Sequence, residues 1–411
     1  MQSTKMMFLA IMLCLSLMTT IMSSNIVKAE AEIKYLTLPS SNSMPMGITY
    51  DSSRNVVWVA LYWNRSIAKI DVVTKDVTLY PLSWYVGQEY YGPMPWTIAI
   101  DGNNDLWISI RSYMVTPNHP PSTIPYLAKM NLNNETFTIF WIPAVLAGGC
   151  DIKYHNGYVW YQTNNALSKI NYTTNSIVES YIREFSGGFI KPDNECLWLS
   201  SVSGDFVTRF NILTNKFDLN LTGFDRPLGI EADSKYVYVA ENARLSEFET
   251  EKMGHIARIN KTDYTIARLN TTTITNEGPY HVYKDSFGYL WFTDSSQHLG
   301  IVGGTVWTAI SPLCYFITEV PTAFTEIWFS CVGSAYIGIK TTGTLGKTDI
   351  NMDGKVDIKD IAIMAKAFGS YPGSTNWDPI ADITGPTLGV PDNKVDSYDI
   401  AFIAKNYGKT L

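Results

Sequence analysis

The sequence is short of charge, of histidine and of cysteine. Only 17% of its 411 residues are charged, and the formal net charge is −7. That acidic balance argues against a nucleic-acid binder, which needs a basic face. A hydrophobic fraction of 46% with so little charge excludes disorder as the main state. Five histidines leave metal-centred hydrolysis few ligands. No Gly-x-Ser-x-Gly elbow, His-Glu-x-x-His pair or phosphate loop occurs, so the machinery of those chemistries is missing. No carboxylate pair can be placed at catalytic separation from sequence alone. Helical apolar spacing is absent between residues 32 and 343, which excludes a helical main domain.

Long apolar runs are also missing, with one exception. Met6 to Met22 is almost continuously apolar and follows Lys5. Val27-Lys28-Ala29 offers small residues before a cleavage point. This pattern predicts a signal peptide over 1–29 and a mature chain starting near Glu30, with an uncleaved anchor as the alternative. We therefore expect a secreted or cell-surface protein without a transmembrane anchor in the mature chain. Cys150, Cys196, Cys314 and Cys331 follow the leader, and an even count in an exported chain permits disulfides. Cys314 with Cys331 is the favoured pair, because one hairpin can bring them together; four buried thiols are the alternative. Sequons at Asn64, Asn134, Asn171, Asn220, Asn260 and Asn270 permit glycosylation.

What the chain does have is aromatics, at 13%, and a repeat. A short apolar run centred on an aromatic recurs seven times, on Trp58, Trp107, Trp160, Trp198, Tyr238, Trp291 and Trp328. The spacing of 37 to 53 residues suits one four-stranded blade plus variable loops. A Pro- or Gly-led strand precedes each run, as in Pro45-Met46-Gly47-Ile48 and Pro227-Leu228-Gly229-Ile230. An acidic turn sits between them at Asp51, Asp101, Asp233 and Asp285. An alternating third strand follows and ends at Asp71, Asn131, Asn171, Asn211 or Asn260, each opening a polar turn. A fourth strand closes each unit. These features predict an all-β seven-bladed β-propeller over 32–343. Ile33 to Leu38 supplies an outer strand for the last blade, which lacks its own, and so closes the ring.

The Pro-x-Gly-Ile openings, the Leu290-Trp291-Phe292-Thr293 run and the Ala257-Arg258-Ile259-Asn260 strand resemble the virginiamycin B lyase-like family, among the NHL-type propellers. The resemblance covers roughly residues 33 to 340. It implies a site with a His before one Gly-Ile and a Glu after one Trp-Phe-Thr. Here those places carry Tyr280, followed by His281, and Asp294. Glu241 matches the carboxylate position of the neighbouring blade. Glu241, Tyr280, His281 and Asp294 are thus the catalytic candidates. In such a fold, the loops between second and third strands and the links between blades open on one face around the channel. On that face, Trp84, Tyr85, Tyr90, Tyr91, Trp96 and Arg111 are ligand-binding candidates, since rings of this density stack on sugar faces or on one another. The loop from Arg111 to Pro125 adds His119, and the loop from Glu241 to Gly254 adds Glu247, Glu249 and Glu251.

The strongest chemical signal lies past a linker at Thr341 to Gly346. Asp349, Asn351, Asp353, Asp357 and Asp360 place side-chain oxygens at loop positions one, three, five, nine and twelve of a calcium loop, and Lys355 offers its carbonyl at seven. Gly354 permits the sharp turn, and Ile361 to Phe368 reads as a helix stopped by Gly369. The pattern repeats at a period of 39, with Asp382, Thr384, Asp392, Lys394, Asp396 and Asp399 around an insertion from Pro386 to Pro391. Residues 344–411 resemble a type I dockerin. The resemblance implies two Ca2+ ions and a cohesin-like or other surface protein as partner.

Two functions compete at this point. One is an exported calcium-binding propeller that holds a glycan or protein and is docked to a surface assembly. The other is a secreted polysaccharide-acting hydrolase or virginiamycin B lyase-like enzyme carried by the same module. Carboxylates and His281 converging at the channel mouth would favour the enzyme. An aromatic mouth without them would favour binding.

Overall fold

The computed structural model describes residues 33–82, 84–86, 89–91, 93–112, 127–140, 148–185, 187–242, 254–271, 278–295, 297–303, 306–309, 313–321, 325–341, 348–351, 355–378, 380–385 and 392–409. The expected signal peptide, His119, Glu247, Glu249, Glu251, Asp353 and Gly354 lie outside the described residues. Seven four-stranded antiparallel sheets, here blades I to VII, form a β-propeller. The aromatic-centred runs are the second strands, from Val56–Leu61 in blade I to Glu326–Val332 in blade VII. Lys34–Thr37 pairs antiparallel with Tyr336–Thr341 and supplies the fourth strand of blade VII. Both ends of the propeller chain thereby share one sheet, and the ring has no open seam.

The central aromatic of each second strand is buried between blades, and its polar tip needs a partner there. The acidic turn supplies it. Trp58, Trp107, Trp198 and Trp291 donate from Nε1 to Asp51, Asp101, Asp193 and Asp285 at 3.4, 2.8, 3.1 and 2.8 Å. In blade V the Tyr238 hydroxyl donates to Asp233 at 3.0 Å, and in blade VII Trp328 donates to Glu326 at 2.8 Å. Blade III lacks the acid, and Trp160 turns to the His155 carbonyl at 3.3 Å. At the end of the third strands, Asp71, Asn131, Asn171 and Asn211 each accept from the backbone amides two and three residues on. These Asx turns explain why that position is Asp or Asn.

The innermost strands crowd around the channel. A Cβ on Gly47 would lie 2.7 Å from the Thr97 Cα, and one on Gly229 would lie 2.6 Å from the His281 Cα. The glycine of the Pro-x-Gly-Ile opening therefore lets neighbouring inner strands touch backbone to backbone. Six of the seven inner strands also show a register shift near their first residues: blade I between Pro45 and Ile48, II near Pro95, III between Gly149 and Asp151, V between Pro227 and Ile230, VI between Pro279 and His281, VII between Cys314 and Ile317. Such bulges bend a strand and re-aim its side chains.

Cys314 lies directly opposite Cys331 in blade VII, and both are buried thiols, as are Cys150 and the half-buried Cys196. No helix among the described residues is long and apolar enough to cross a membrane.

The C-terminal segment contains two short helices, α1 (Ile358–Ala367) and α2 (Ser397–Asn406). Each starts with a capping box, Asp357 with Asp360 and Asp396 with Asp399. The 39-residue repeat is carried into the backbone. Gly408 N donates to Val356 O and Val356 N to Lys409 O, while Gly369 N donates to Val395 O and Val395 N to Ser370 O. Each loop thus pairs with the residues that follow the other helix. Met364, Ala367, Phe402 and Ile403 fill the small core between them. Tyr289, at the turn before the second strand of blade VI, donates to the Asp349 carbonyl at 3.2 Å and joins this segment to the propeller.

Two stability measurements check this account. Trp107→Phe should lower propeller stability more than Trp160→Phe in denaturant unfolding. Both lose the same indole ring, but only the first loses a charged acceptor at 2.8 Å, a bond of about 1.5–3 kcal/mol. The second concerns acid. Burial alone would raise the Asp233 carboxyl, yet Lys284, the amides of Tyr236 and Lys235 and the Tyr238 hydroxyl hold it at about 2. A depressed carboxyl contributes stability that is present above its unfolded pKa, near 3.8, and is lost as pH falls through 2. Asp233→Asn should therefore lower the melting temperature at neutral pH, with the gap from the natural protein narrowing between pH 4 and pH 2.

Candidate functional site

The face on which second-to-third-strand loops and blade links open carries a mouth of about 630 Å3. Tyr62 and Trp63 enter from the blade I loop, Trp96 from the inner strand of blade II, and Arg111 from the end of its second strand. Tyr280 and Tyr315 stack face to face with centroids 3.6 Å apart. The Arg111 guanidinium carbon lies 4.0 Å from the Trp96 ring centroid, and its charge acts on the Tyr280 hydroxyl. Burial and then Tyr315 raise the Tyr280 phenol far above its usual range, so it stays protonated. Cys150 lines the same cavity, but burial pushes its thiol up to about 12 and it is no nucleophile. Arg226, Asn242 and Ser295 complete the polar part. The described lining contains no Asp, Glu or His.

Below the mouth, Phe189 and Phe316 meet edge to face at 5.4 Å and close the channel, with Tyr280 and Trp96 packed on Phe316 at 6.0 and 6.2 Å. Beyond them all seven inner strands enclose a second chamber of about 330 Å3. Its charges are neutralised in pairs. Lys153 donates to Asp151 at 2.9 Å, and Lys191 pairs with Glu231. His281 points into this chamber and not into the mouth. Burial lowers its pKa to about 3, aided by Lys153 and Lys191, so the ring is neutral, and its buried Nδ1 has no partner. Tyr280 and His281 straddle the blade VI bulge, which is why adjacent residues serve opposite compartments.

The two carboxylate candidates are engaged elsewhere. Glu241 is buried and held by Arg268 of the same blade at 2.8 and 3.0 Å, and by the Asp225 amide at 3.1 Å. Asp294 accepts from the His298 Nδ1 and amide, both at 2.8 Å. Neither lines the mouth. Of the ligand-binding candidates, the structure brings Trp96 and Arg111 together at the mouth, with Tyr280. Trp84–Val86 and Glu89–Tyr91 form a separate hairpin that pairs Trp84 with Tyr91 and Tyr85 with Tyr90; those side chains lie outside the described residues. Sequence reasoning missed Tyr62, Trp63 and Tyr315. The signal for the first two was there, since Tyr62-Trp63 directly follows a second strand.

In the C-terminal segment, Asp360 accepts from the Asn351 and Asp357 amides at 3.0 and 2.8 Å, and Asp399 from the Ile383, Thr384 and Asp396 amides at 2.8, 2.9 and 2.8 Å. Asp357 and Asp396 cap α1 and α2. Asp382 accepts from the Asp392 and Asn393 amides across the insertion at 3.2 and 2.8 Å. Asp392 Oδ1 is buried without a partner, and a Cβ on Gly385 would lie 2.7 Å from Asp392 Cβ and 2.8 Å from its Cγ. Asp349 is buried, while Lys355 and Lys394 are exposed. Among the described residues, no three His, Cys, Asp or Glu side chains converge closely enough to hold a metal.

No family model matches the sequence, and no curated protein matches it. Solved structures do match the propeller. One is a streptogramin B lyase, 18% identical, with TM-score 0.59, covering 76% of this chain and 99% of that one. Another is the hydrazine synthase of Kuenenia stuttgartiensis, 14% identical, with TM-score 0.59, covering 78% of this chain and 98% of that one. A third is the extracellular domain of a hybrid two component system of B. thetaiotaomicron, 14% identical, with TM-score 0.54, covering 77% of this chain and 44% of that one. At these identities the likeness is one of fold: the chain carries the seven-bladed propeller also seen in the streptogramin B lyase.

Proposed function

We propose that this is an exported binding protein. Its propeller holds a glycan at the aromatic mouth, and its C-terminal segment is a calcium-dependent, dockerin-like module that attaches it to a surface or secreted assembly. The observation that carries the binding role is the make-up of the mouth. Trp63 is half exposed and Tyr62 and Tyr315 are partly so, with Trp96 and Tyr280 buried behind them, and the nearby carboxylates are committed to Arg268 and His298. A sugar can stack there, but no described acid or base reaches it. The competing hydrolase or lyase role has less support, because its carboxylates and His281 do not converge. Export rests on the Lys5 and Met6 to Met22 leader.

Calcium is supported by the residues present. Oxygen ligands recur at the offsets a calcium loop needs, in two copies 39 residues apart. Asp392 Oδ1 is an orphaned buried acceptor, and Gly385 leaves the space its carboxylate fills. Asp349, Asn351, Asp353, Lys355, Asp357 and Asp360 would hold one ion, and Asp382, Thr384, Asp392, Lys394, Asp396 and Asp399 the other. The ion would supply charge neutralisation to a segment whose core is small. The partner would meet the exposed Ile358 and Tyr398 at the starts of the two helices.

Two outcomes follow. In the full chain, chelation by EGTA should abolish one low-temperature melting transition and open 344–411 to protease, leaving the propeller transition in place. Excess calcium should restore it, by about 2.7 kcal/mol at a hundredfold excess over Kd. Protease resistance unchanged by EGTA would contradict the calcium assignment. In isothermal titration against short oligosaccharides, replacing the half-exposed Trp63 by alanine (Trp63→Ala) should weaken binding about tenfold or more, the scale of one lost stacking face. Product formation in the same mixtures would contradict a pure binding role.

A further inference from the structure

The two compartments of the channel treat charge differently. In the inner chamber each lysine faces a carboxylate: Lys153 faces Asp151 and Lys191 faces Glu231. In the mouth the described charged lining is two arginines, of which Arg226 is engaged in an interaction of its own. Among the described residues, Arg111 meets an indole ring and a phenol and no carboxylate. It is also exposed, so its N–H groups reach the cavity.

The way Arg111 is held narrows the ligand. Its Cζ lies 4.0 Å from the Trp96 ring centroid, within cation–π range. Its charge also acts on the Tyr280 hydroxyl, and Tyr280 is stacked on Tyr315. A guanidinium is a planar fork and suits a planar anion, because bidentate hydrogen bonding needs both donors in one plane. The rings around it offer faces to a sugar. The volume of about 630 Å3 accommodates a short oligosaccharide.

We infer that the mouth selects a glycan bearing a carboxylate, a uronic-acid-type sugar, with Arg111 as the residue that reads the acid. This rests on the glycan-binding reading above and specifies its ligand class. The carboxylate is received by the Arg111 fork, while pyranose faces lie on neighbouring rings.

The test is isothermal titration of the full chain with trigalacturonate and with the neutral trisaccharide of the same linkage, at low and high salt. The natural protein should bind the acidic sugar about tenfold more tightly, which is about 1.4 kcal/mol. Added salt should reduce that preference. Arg111→Gln should abolish it and Arg111→Lys should retain part of it, with melting temperatures confirming that both variants fold. Equal binding of both sugars, unmoved by Arg111→Gln, would overturn the acid selectivity and leave glycan binding standing. Binding of neither sugar, with chemically diverse neutral glycans also failing, would overturn both.

Discussion

The architecture depends on how closely seven inner strands can approach one axis. Glycines at Gly47 and Gly229 remove the side chains that would strike the next blade. Bulges near the mouth end of six inner strands bend them as they leave the channel. The same device decides where chemistry can occur. At Pro279 to His281 it sends one aromatic to the mouth and the next residue to the inner chamber. The aromatic waist at Phe189 and Phe316 then separates the two. A solution to a packing problem thus divides the channel into a charge-paired interior and an entrance whose described lining is rich in aromatic rings.

The acids of this molecule are mostly spent on structure. Asp51, Asp101, Asp193, Asp233, Asp285 and Glu326 receive the buried indoles and the Tyr238 hydroxyl. Glu241 and Asp294 are tied to Arg268 and His298. Others crowd into the C-terminal loops, where helix capping and amide bonds occupy part of their capacity. Among the described residues, the mouth is left with arginine and aromatic rings. The C-terminal segment meets the propeller at Tyr289, on the turn between first and second strands, away from the mouth. Docking at one end and ligand binding at the other would therefore not compete.

Much of the fold was legible in the sequence because its signals are local. The aromatic runs, the acid between first and second strands, the Asp or Asn at the third-strand exit and the glycine of the opening each obey a rule spanning a few residues. The ring closure was legible from one strand too many at the start and one too few at the end. The 39-residue repeat also announced two matching loop–helix units. The site was less legible. The bulge that separates Tyr280 from His281 has no residue signature, since register shifts here start at Met, Pro, Gly and Cys alike. The capture of Glu241 by Arg268 joins residues 27 apart, and the Tyr280–Tyr315 stack joins residues of successive blades. The Cys314–Cys331 proximity was legible from hairpin spacing, and the structure sets the two thiols opposite each other.

The most direct test is a crystal structure of the full chain grown with calcium and soaked with trigalacturonate. This account predicts sugar density against Trp63 and Tyr315, with a carboxylate on the Arg111 fork. It also predicts one ion in each C-terminal loop. Sugar density in the inner chamber beside His281, or against Glu241 and Asp294 released from their partners, would contradict it.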